Sequence, residues 1–219
     1  MSEIPRAIIF ADGVIENGNW IKPYLKEGDF LIAVDGGYRH MKNAGVTPHL
    51  LVGDLDSVDT QDVKNLELSG VEIQKYPPEK DETDLEIALM TALQRGFTVI
   101  RILGAFGGRM DHWLANLFIL LNPAFIHCDV RFENRTEKAF LIRVDGNIDG
   151  KPGDIVSLIP MGNTVRGVRT EGLKYPLRSE TLYAHQSRGV SNELIAEKAR
   201  ITIDDGLLLC IHLCKTVKE

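Results

Sequence analysis

Sulfur, aromatic rings and excess positive charge are all scarce in this chain of 219 residues. Each shortage closes off a class of protein. Cysteine occurs three times, at 128, 210 and 214. An odd number at spacings that fit neither a disulfide framework nor a zinc pattern points to reduced thiols. Cys210 and Cys214 fall in an apolar C-terminal stretch and are expected in the core. Tryptophan occurs only at 20 and 113. Lys and Arg number 25 against 31 Asp and Glu, a formal charge of −6. That balance argues against general nucleic-acid binding, whose affinity comes largely from phosphate neutralisation. No apolar run is long enough to cross a bilayer. The stretch Met1–Arg6 carries Glu3 and has no apolar signal core. We therefore expect a cytoplasmic chain with no membrane or nucleic-acid partner.

What the chain does contain is a large apolar fraction, 44%, enough for a proper core. In its first part short apolar runs alternate with helical patterns. Strands are expected at 6–11, 30–34, 49–52, 71–75 and 98–103. Helices are expected at 19–26, 38–44, 59–68, 85–95 and 111–121. Gly45 and Gly96 stand where two of these helices stop. Near-continuous apolar strands separated by helices predict a mostly parallel sheet covered on both faces. Near residue 125 the texture changes. Strands are expected at 126–132, 139–144, 155–160, 165–170 and 201–213, between turns such as Asp145-Gly146-Asn147 and Asp205-Gly206. That is the pattern of a small antiparallel β-sandwich. The boundary is placed between about Arg131 and Lys138, giving domains 1–132 and 133–219.

The polar clusters share one position in this scheme. Asp35, the pair Asp54 and Asp56, and the loop Gly104–Arg109 each follow directly after an expected strand. Open parallel sheets bind ligands at the carboxyl ends of their strands. On an extended backbone alternate residues point the same way, which lets Asp54 and Asp56 face one point. Two carboxylates that close repel unless a cation lies between them. Mg2+ suits them, since it takes one or two carboxylates together with phosphate oxygens. The plainer reading is a turn with a helix cap. The segment Lys80-Asp81-Glu82-Thr83-Asp84 opens a helix, where Thr and Asp also serve as caps. In the glycine loop, backbone N–H groups can approach an anion closely. Arg109 can grip a phosphate oxygen pair, and Lys80 adds a point charge. Neither Gly-x-Gly-x-x-Gly nor Gly-Lys-Ser/Thr is present. In the second domain, Ser187–Glu193 is the one candidate for ligand contact, against the plainer reading of a hairpin turn.

Taken in order, Asp35-Gly36-Gly37, Gly53-Asp54-Leu55-Asp56-Ser57, Lys80-Asp81-Glu82-Thr83-Asp84, Gly104-Ala105-Phe106-Gly107-Gly108-Arg109-Met110-Asp111-His112 and Gly189-Val190-Ser191-Asn192-Glu193 resemble the motifs of the thiamin pyrophosphokinase family. Each is weak alone; the ordered set, spread over nearly the whole chain, is specific. The resemblance implies an N-terminal α/β domain, a C-terminal β-sandwich and a homodimer with sites at the subunit interface. It implies transfer of a pyrophosphoryl group from ATP to the hydroxyl of thiamin, with release of AMP. By the same resemblance Asp54, Asp56 and Asp84 hold Mg2+ and, with Arg109, carry the catalysis. Asp35, Gly36, Gly37, Lys80, Asp81, Gly107, Gly108, Arg109 and Asp111 meet ATP, and Ser191 and Asn192 meet thiamin. One family feature has no counterpart, because the last strand region Leu207–Cys210 lacks the tryptophan that stacks on thiamin in some members. Two other readings are a related diphosphokinase acting on another hydroxyalkyl heterocycle, such as a pterin, and a non-enzymatic nucleotide or Mg2+ module.

Overall fold

The computed structural model describes residues 4–107 and 109–215. Gly108 of the expected phosphate loop lies outside the described residues. The chain divides into two compact units, Met1–Phe132 and Glu133–Glu219.

The first unit is built on strands β1 (Arg6–Phe10), β2 (Phe30–Val34), β3 (Leu50–Gly53), β4 (Glu72–Lys75), β5 (Val99–Leu103) and β6 (Asp129–Glu133). They lie in the order β6-β5-β1-β2-β3-β4. The pairs β1–β2, β1–β5, β2–β3 and β3–β4 are all parallel. Apolar side chains on both faces of β1, β2 and β3 are buried, as continuous Val/Ile/Leu runs require of a sheet covered on two sides. Helices α1 (Ile21–Tyr24), α2 (Tyr38–Asn43), α3 (Thr60–Leu68), α4 (Asp84–Gln94) and α5 (Met110–Ile119) connect these strands. α4 buries Leu85, Ala88, Leu89 and Ala92, the spacing of one helical face. Its start is capped by Thr83, whose hydroxyl accepts the Glu86 N–H at 3.2 Å. Gly96, at φ +87°, ends it in the left-handed conformation that glycine adopts without a Cβ clash.

Two local expectations change here. The helix expected at 19–26 is a 3₁₀ turn, Gly18–Trp20, followed by the single turn of α1. Pro23 sits in that turn, where a missing N–H costs nothing. The strand expected at 126–132 starts later, at Asp129, and belongs to the parallel unit. The Asp129 N–H donates to Thr98 O at 2.8 Å, and its carboxylate pairs with Arg101 at 2.6 Å. The change of texture near residue 125 therefore precedes the structural boundary.

The second unit contains β7 (Glu137–Ile142), β8 (Asp145–Asp149), β9 (Ile155–Pro160), β10 (Thr164–Glu171), β11 (Arg178–Tyr183), β12 (Asn192–Glu193), β13 (Lys198–Thr202) and β14 (Leu208–Leu213). They form two sheets, ordered β12-β9-β14-β7 and β11-β10-β13-β8, with every registered pair antiparallel. One apolar cluster fills the space between them. It joins Ile142, Val156, Leu158 and Leu208 of one sheet to Ile148, Val168, Leu182 and Ile201 of the other, the alternate-residue burial of a sandwich. The single strand expected at 201–213 is two strands in different sheets. Asp205 and Gly206 (φ +101°) turn the chain between them. The turn expected at Asp145–Asn147 is instead strand β8, paired with β13. Gly146 lies there because a Cβ would strike the Ile142 side chain. Cross-strand pairing overrides the turn propensity of Asp-Gly-Asn.

Candidate functional site

In the first unit the chain runs outward in one direction through β1 to β4, and then β5 returns to the other side of β1. The crevice outside the carboxyl ends of β1 and β5 is thus the switch point of the sheet, where open α/β sheets take ligands. The register brings the strand ends level: Phe10 lies opposite both Leu103 and Ala33, and Val34 opposite Val52. Hence Asp12, Asp35, Asp54 and the Gly104 loop emerge on one rim.

At the β1–β5 step the two loops are zipped together. Gly13 N–H donates to Gly104 O at 2.6 Å and Val14 N–H to Phe106 O at 2.8 Å. A Cβ at Gly13 would run into those same carbonyls. Gly104 and Gly107 sit at φ +70° and +88°. The loop is therefore shaped by backbone contact with β1. Arg109 and Asp111 pair with each other at 2.6 Å, with both side chains exposed. The guanidinium holds the Asp111 carboxyl below the usual carboxylate range.

At the β2–β3 step the carboxylates converge. Asp35 adopts φ +44° and Leu55 φ +66°, conformations that L-residues rarely take. The Leu55 N–H donates to Asp35 Oδ1 at 3.0 Å. A Cβ at Gly53 would land on the Asp35 carboxylate, so glycine is what lets that carboxylate reach across. Asp35 also shares a side-chain hydrogen bond with Asp84 at the start of α4, and it feels the charge of Asp54. Burial comes first, and the two neighbouring carboxylates add to it. Together they outweigh the Leu55 N–H and push the Asp35 carboxyl up to about 7.

Asp54 and Asp56 do not project side by side from an extended strand, as the sequence suggested. Asp54 Oδ1 accepts the Asp56 N–H at 3.0 Å, and Asp56 Oδ1 accepts the Ser57 hydroxyl at 2.8 Å. β3 ends at Gly53, and left-handed Leu55 makes residues 54–56 a tight turn. Asp54 is half-buried, whereas Asp56 is exposed.

This oxygen-only cluster suits a hard divalent cation. Asp84 Oδ1 is sealed from solvent. Lys80 Nζ pairs with it at 2.9 Å and also donates to Pro77 O at 3.0 Å. A carboxylate oxygen held by one ammonium keeps a lone pair with which it could ligate a metal ion.

The other expected residues are placed as follows. Gly36 and Gly37 are buried; a Cβ at Gly36 would meet the Asp12 carboxylate, and one at Gly37 the Phe10 carbonyl. Asp81 is exposed in the loop before α4. In the second unit Ser191 is exposed at φ +59°, and its N–H donates to Ser157 Oγ at 3.0 Å. Asn192 is 6% exposed. Its amide is engaged with Tyr175, accepting the Tyr175 N–H at 3.0 Å and donating to Tyr175 O at 2.7 Å.

Asp12 was not singled out in the sequence. Asp12 pairs with Arg39 at 2.6 Å. The same guanidinium donates to the carbonyls of Asp12 and Gly13 at 2.7 and 3.0 Å. Its position directly after β1 is the same signal that marked Asp35 and Asp54.

Two family models match the chain: thiamin pyrophosphokinase, catalytic domain, over residues 21–132, and thiamin pyrophosphokinase, vitamin B1 binding domain, over 141–208. The thiamine pyrophosphokinase of Bacillus subtilis (strain 168) is 29% identical over 192 residues, 86% of this chain and 89% of that protein. Thiamine pyrophosphokinase 1 of Oryza sativa subsp. japonica is 28% identical over 179 residues, 76% of this chain and 66% of the rice protein. Among solved structures, the B. subtilis thiamine pyrophosphokinase superposes with a TM-score of 0.85 at 26% identity, covering 97% of this chain and 100% of its own. The Geobacillus thermodenitrificans thiamin pyrophosphokinase gives 0.80 at 27%, over 98% and 99%. With both of its domain models matched in order along most of its length, the chain belongs to the thiamin pyrophosphokinase family.

Proposed function

We propose that this protein transfers the pyrophosphoryl group of ATP to the hydroxyl of thiamin, giving thiamin diphosphate and AMP. Family membership supports the reaction; the convergence of Asp35, Asp54 and Asp84 on one rim is the observation that carries the site. The vitamin B1 binding model over 141–208 weighs against a pterin-type acceptor and against a non-enzymatic module.

In this reading Asp54 and Asp84 would hold Mg2+, with Asp56 at the open edge of the same turn, and the bound ion would supply positive charge toward the phosphates. Transfer of this kind needs little covalent help, so positioning and charge neutralisation are the protein's work. Asp35 braces the Asp54–Asp56 turn through the Leu55 N–H. Lys80, already beside Asp84, and Arg109, beside the glycine loop, take up phosphate charge. Arg109 must leave Asp111 to do so, and Asp111 is then free to meet the nucleotide. Gly107 leaves the loop backbone open to ATP, Asp81 lines its approach, and Gly36 and Gly37 shape the floor beneath Asp12. Ser191 offers an open side chain to thiamin, while Asn192 holds that segment in place through Tyr175.

A homodimer belongs to this proposal. Met110, Leu114 and Phe118 recur one turn apart on α5 and are 69%, 45% and 51% exposed, an apolar stripe suited to a second copy. A cytoplasmic location is consistent with the three cysteines, all free. Separation of the products from ATP, Mg2+ and a panel of alcohols tests the reaction. AMP appearing in step with thiamin diphosphate is expected; ADP as the stoichiometric product, or equal use of a hydroxymethyl pterin, overturns it.

A further inference from the structure

The second unit holds a group of side chains that pyrophosphoryl transfer does not use. His212 lies in β14 and Cys214 directly after its end, two residues on. Leu213 of β14 lies opposite Ile155 of β9, which sets Asp154, the residue before β9, beside them. A donor atom from each of Asp154, His212 and Cys214 lies within 4.8 Å of the other two. His212 Nε2 and Asp154 Oδ2 are 2.9 Å apart, and their side chains are only 2% and 3% exposed. Above the pair stands Gly150, where a Cβ would come within 2.7 Å of Asp154 Oδ2 and 2.9 Å of His212 Nε2. A glycine there lets the backbone approach the two donors without a clash.

We propose that Asp154, His212 and Cys214 form a binding site for a borderline divalent cation of the zinc type, separate from the carboxylate rim. The donor set is one carboxylate, one imidazole and one thiol, the mixture that selects Zn2+ or Co2+ over Mg2+. Tetrahedral zinc sets its N and O ligands about 3.4 Å apart and its S and N ligands about 3.6 Å apart, given the usual bond lengths. The Asp154–His212 separation has to open by only about half an ångström to reach that. A rotation of the Cys214 side chain closes the rest. Asp154 stays anchored throughout, because Oδ1 accepts the Lys215 N–H at 2.8 Å and Oδ2 the Lys151 N–H at 3.0 Å. Those bonds leave a lone pair on Oδ2 for the cation once His212 turns from hydrogen-bond partner to co-ligand. His212 then carries its proton on Nδ1 and coordinates through Nε2.

Burial holds the Cys214 thiol above its ordinary value. The cation must therefore displace the thiol proton, which leaves to solvent as the S–metal bond forms. A carboxylate and a thiolate then balance the two charges of the cation. The site becomes neutral, the state that a dry location tolerates. With three protein ligands, one position remains for water, so a fully closed structural centre is not required.

The test uses the full-length protein with Co2+ alone and with Zn2+ alone. Cobalt should give a near-ultraviolet thiolate charge-transfer band, saturating at one equivalent per chain. The carboxylate rim has no sulfur and cannot produce it. Cys214→Ser should abolish the band and weaken Zn2+ binding by more than about tenfold. Cys128→Ser should leave both unchanged. If Cys214→Ser folds poorly, alkylation of the wild-type protein decides the matter. Zn2+ should protect the Cys214 peptide from iodoacetamide, and Mg2+ should not. No band in the wild type, a band that survives Cys214→Ser, or alkylation of Cys214 indifferent to Zn2+ overturns the site. None of these readouts depends on the transfer reaction, so the site and the proposed function stand or fall separately.

Discussion

Asp35 and Asp154 are both carboxylates drawn largely out of water, and they have moved in opposite directions. Burial acts against the charge of each. Asp154 is 2% exposed, yet two backbone N–H groups and His212 outweigh that burial and hold its carboxyl below the ordinary value. Asp35 receives one backbone N–H and faces Asp84 and Asp54, and its carboxyl rises to about 7. The backbone differs too: Asp35 and Leu55 both take left-handed conformations, which cost on the order of 1–3 kcal/mol each. Without a cation Asp154 has its demands met by those three partners. Asp35 faces two further carboxylates whose charge a cation would balance. A carboxylate's partners, more than its depth, decide whether it keeps its charge unaided.

The sharpest way to break this contrast is to remove the satisfied member. Asp154→Ala leaves His212 and two N–H groups buried without their acceptor. Each buried donor left without its acceptor costs about 1–3 kcal/mol. Thermal unfolding in EDTA should show a melting temperature well below that of the wild type. A shift within error would mean that the pair is not holding the end of the sandwich.

Next come the rim carboxylates. Asp54→Asn and Asp84→Asn should keep the fold and lose AMP release by on the order of a hundredfold to a thousandfold at saturating Mg2+. Asp56→Asn should lose less than either, since Asp56 is the exposed member of the turn. Normal turnover in Asp54→Asn and Asp84→Asn would remove the metal assignment. A larger loss at Asp56 than at Asp54 would mean that the turn rearranges when substrate binds.

The rim was readable from sequence because it depends on one rule: polar clusters follow directly after buried strands, and parallel register levels the strand ends. The same rule reaches Asp12, which follows β1. The geometry inside the rim was not readable. Whether Asp54 and Asp56 point together depends on the sign of φ at Leu55, and no period-2 argument reaches a left-handed residue. The sandwich was legible as a class and blurred in detail. β8 is built from Asp, Gly and Asn, which look like a turn until β13 pairs with them. The Asp154, His212 and Cys214 group was invisible because Asp154 meets His212 across 58 residues of chain.

Asn192→Ala tests the division of labour in the second unit. The amide bridges to Tyr175 at both backbone atoms, so its loss removes two hydrogen bonds at an exposed residue. A destabilisation of about 1–2 kcal/mol is expected. Ser191→Ala, with an exposed side chain, should unfold like the wild type and raise KM for thiamin while KM for ATP stays level. If Asn192→Ala melts normally and only thiamin use suffers, the amide is a ligand contact and not a clamp.

The smallest effect is also the most specific to the unsatisfied carboxylate. In the metal-free protein Asp35 titrates at about 7 against an ordinary value of 3.8. Between those values the folded protein binds more protons than the unfolded chain, so stability falls as pH rises through the window. A shift of that size in a sealed interior corresponds to about 4 kcal/mol. Solvent reaches Asp35, and screening reduces the expectation to about 1–2 kcal/mol. Asp35→Asn can still accept the Leu55 N–H and can donate to Asp84 without a titrating proton. In EDTA it should therefore melt above the wild type at pH 8 and close to it at pH 4, while its AMP release falls. Saturating Mg2+ should erase the wild type's deficit at pH 8, because the cation takes over the charge that the shared proton had been masking. Parallel melting curves for the two proteins across this range would mean that the rim carboxylates do not press on one another, and the reading of Asp35 as their brace would fail with it.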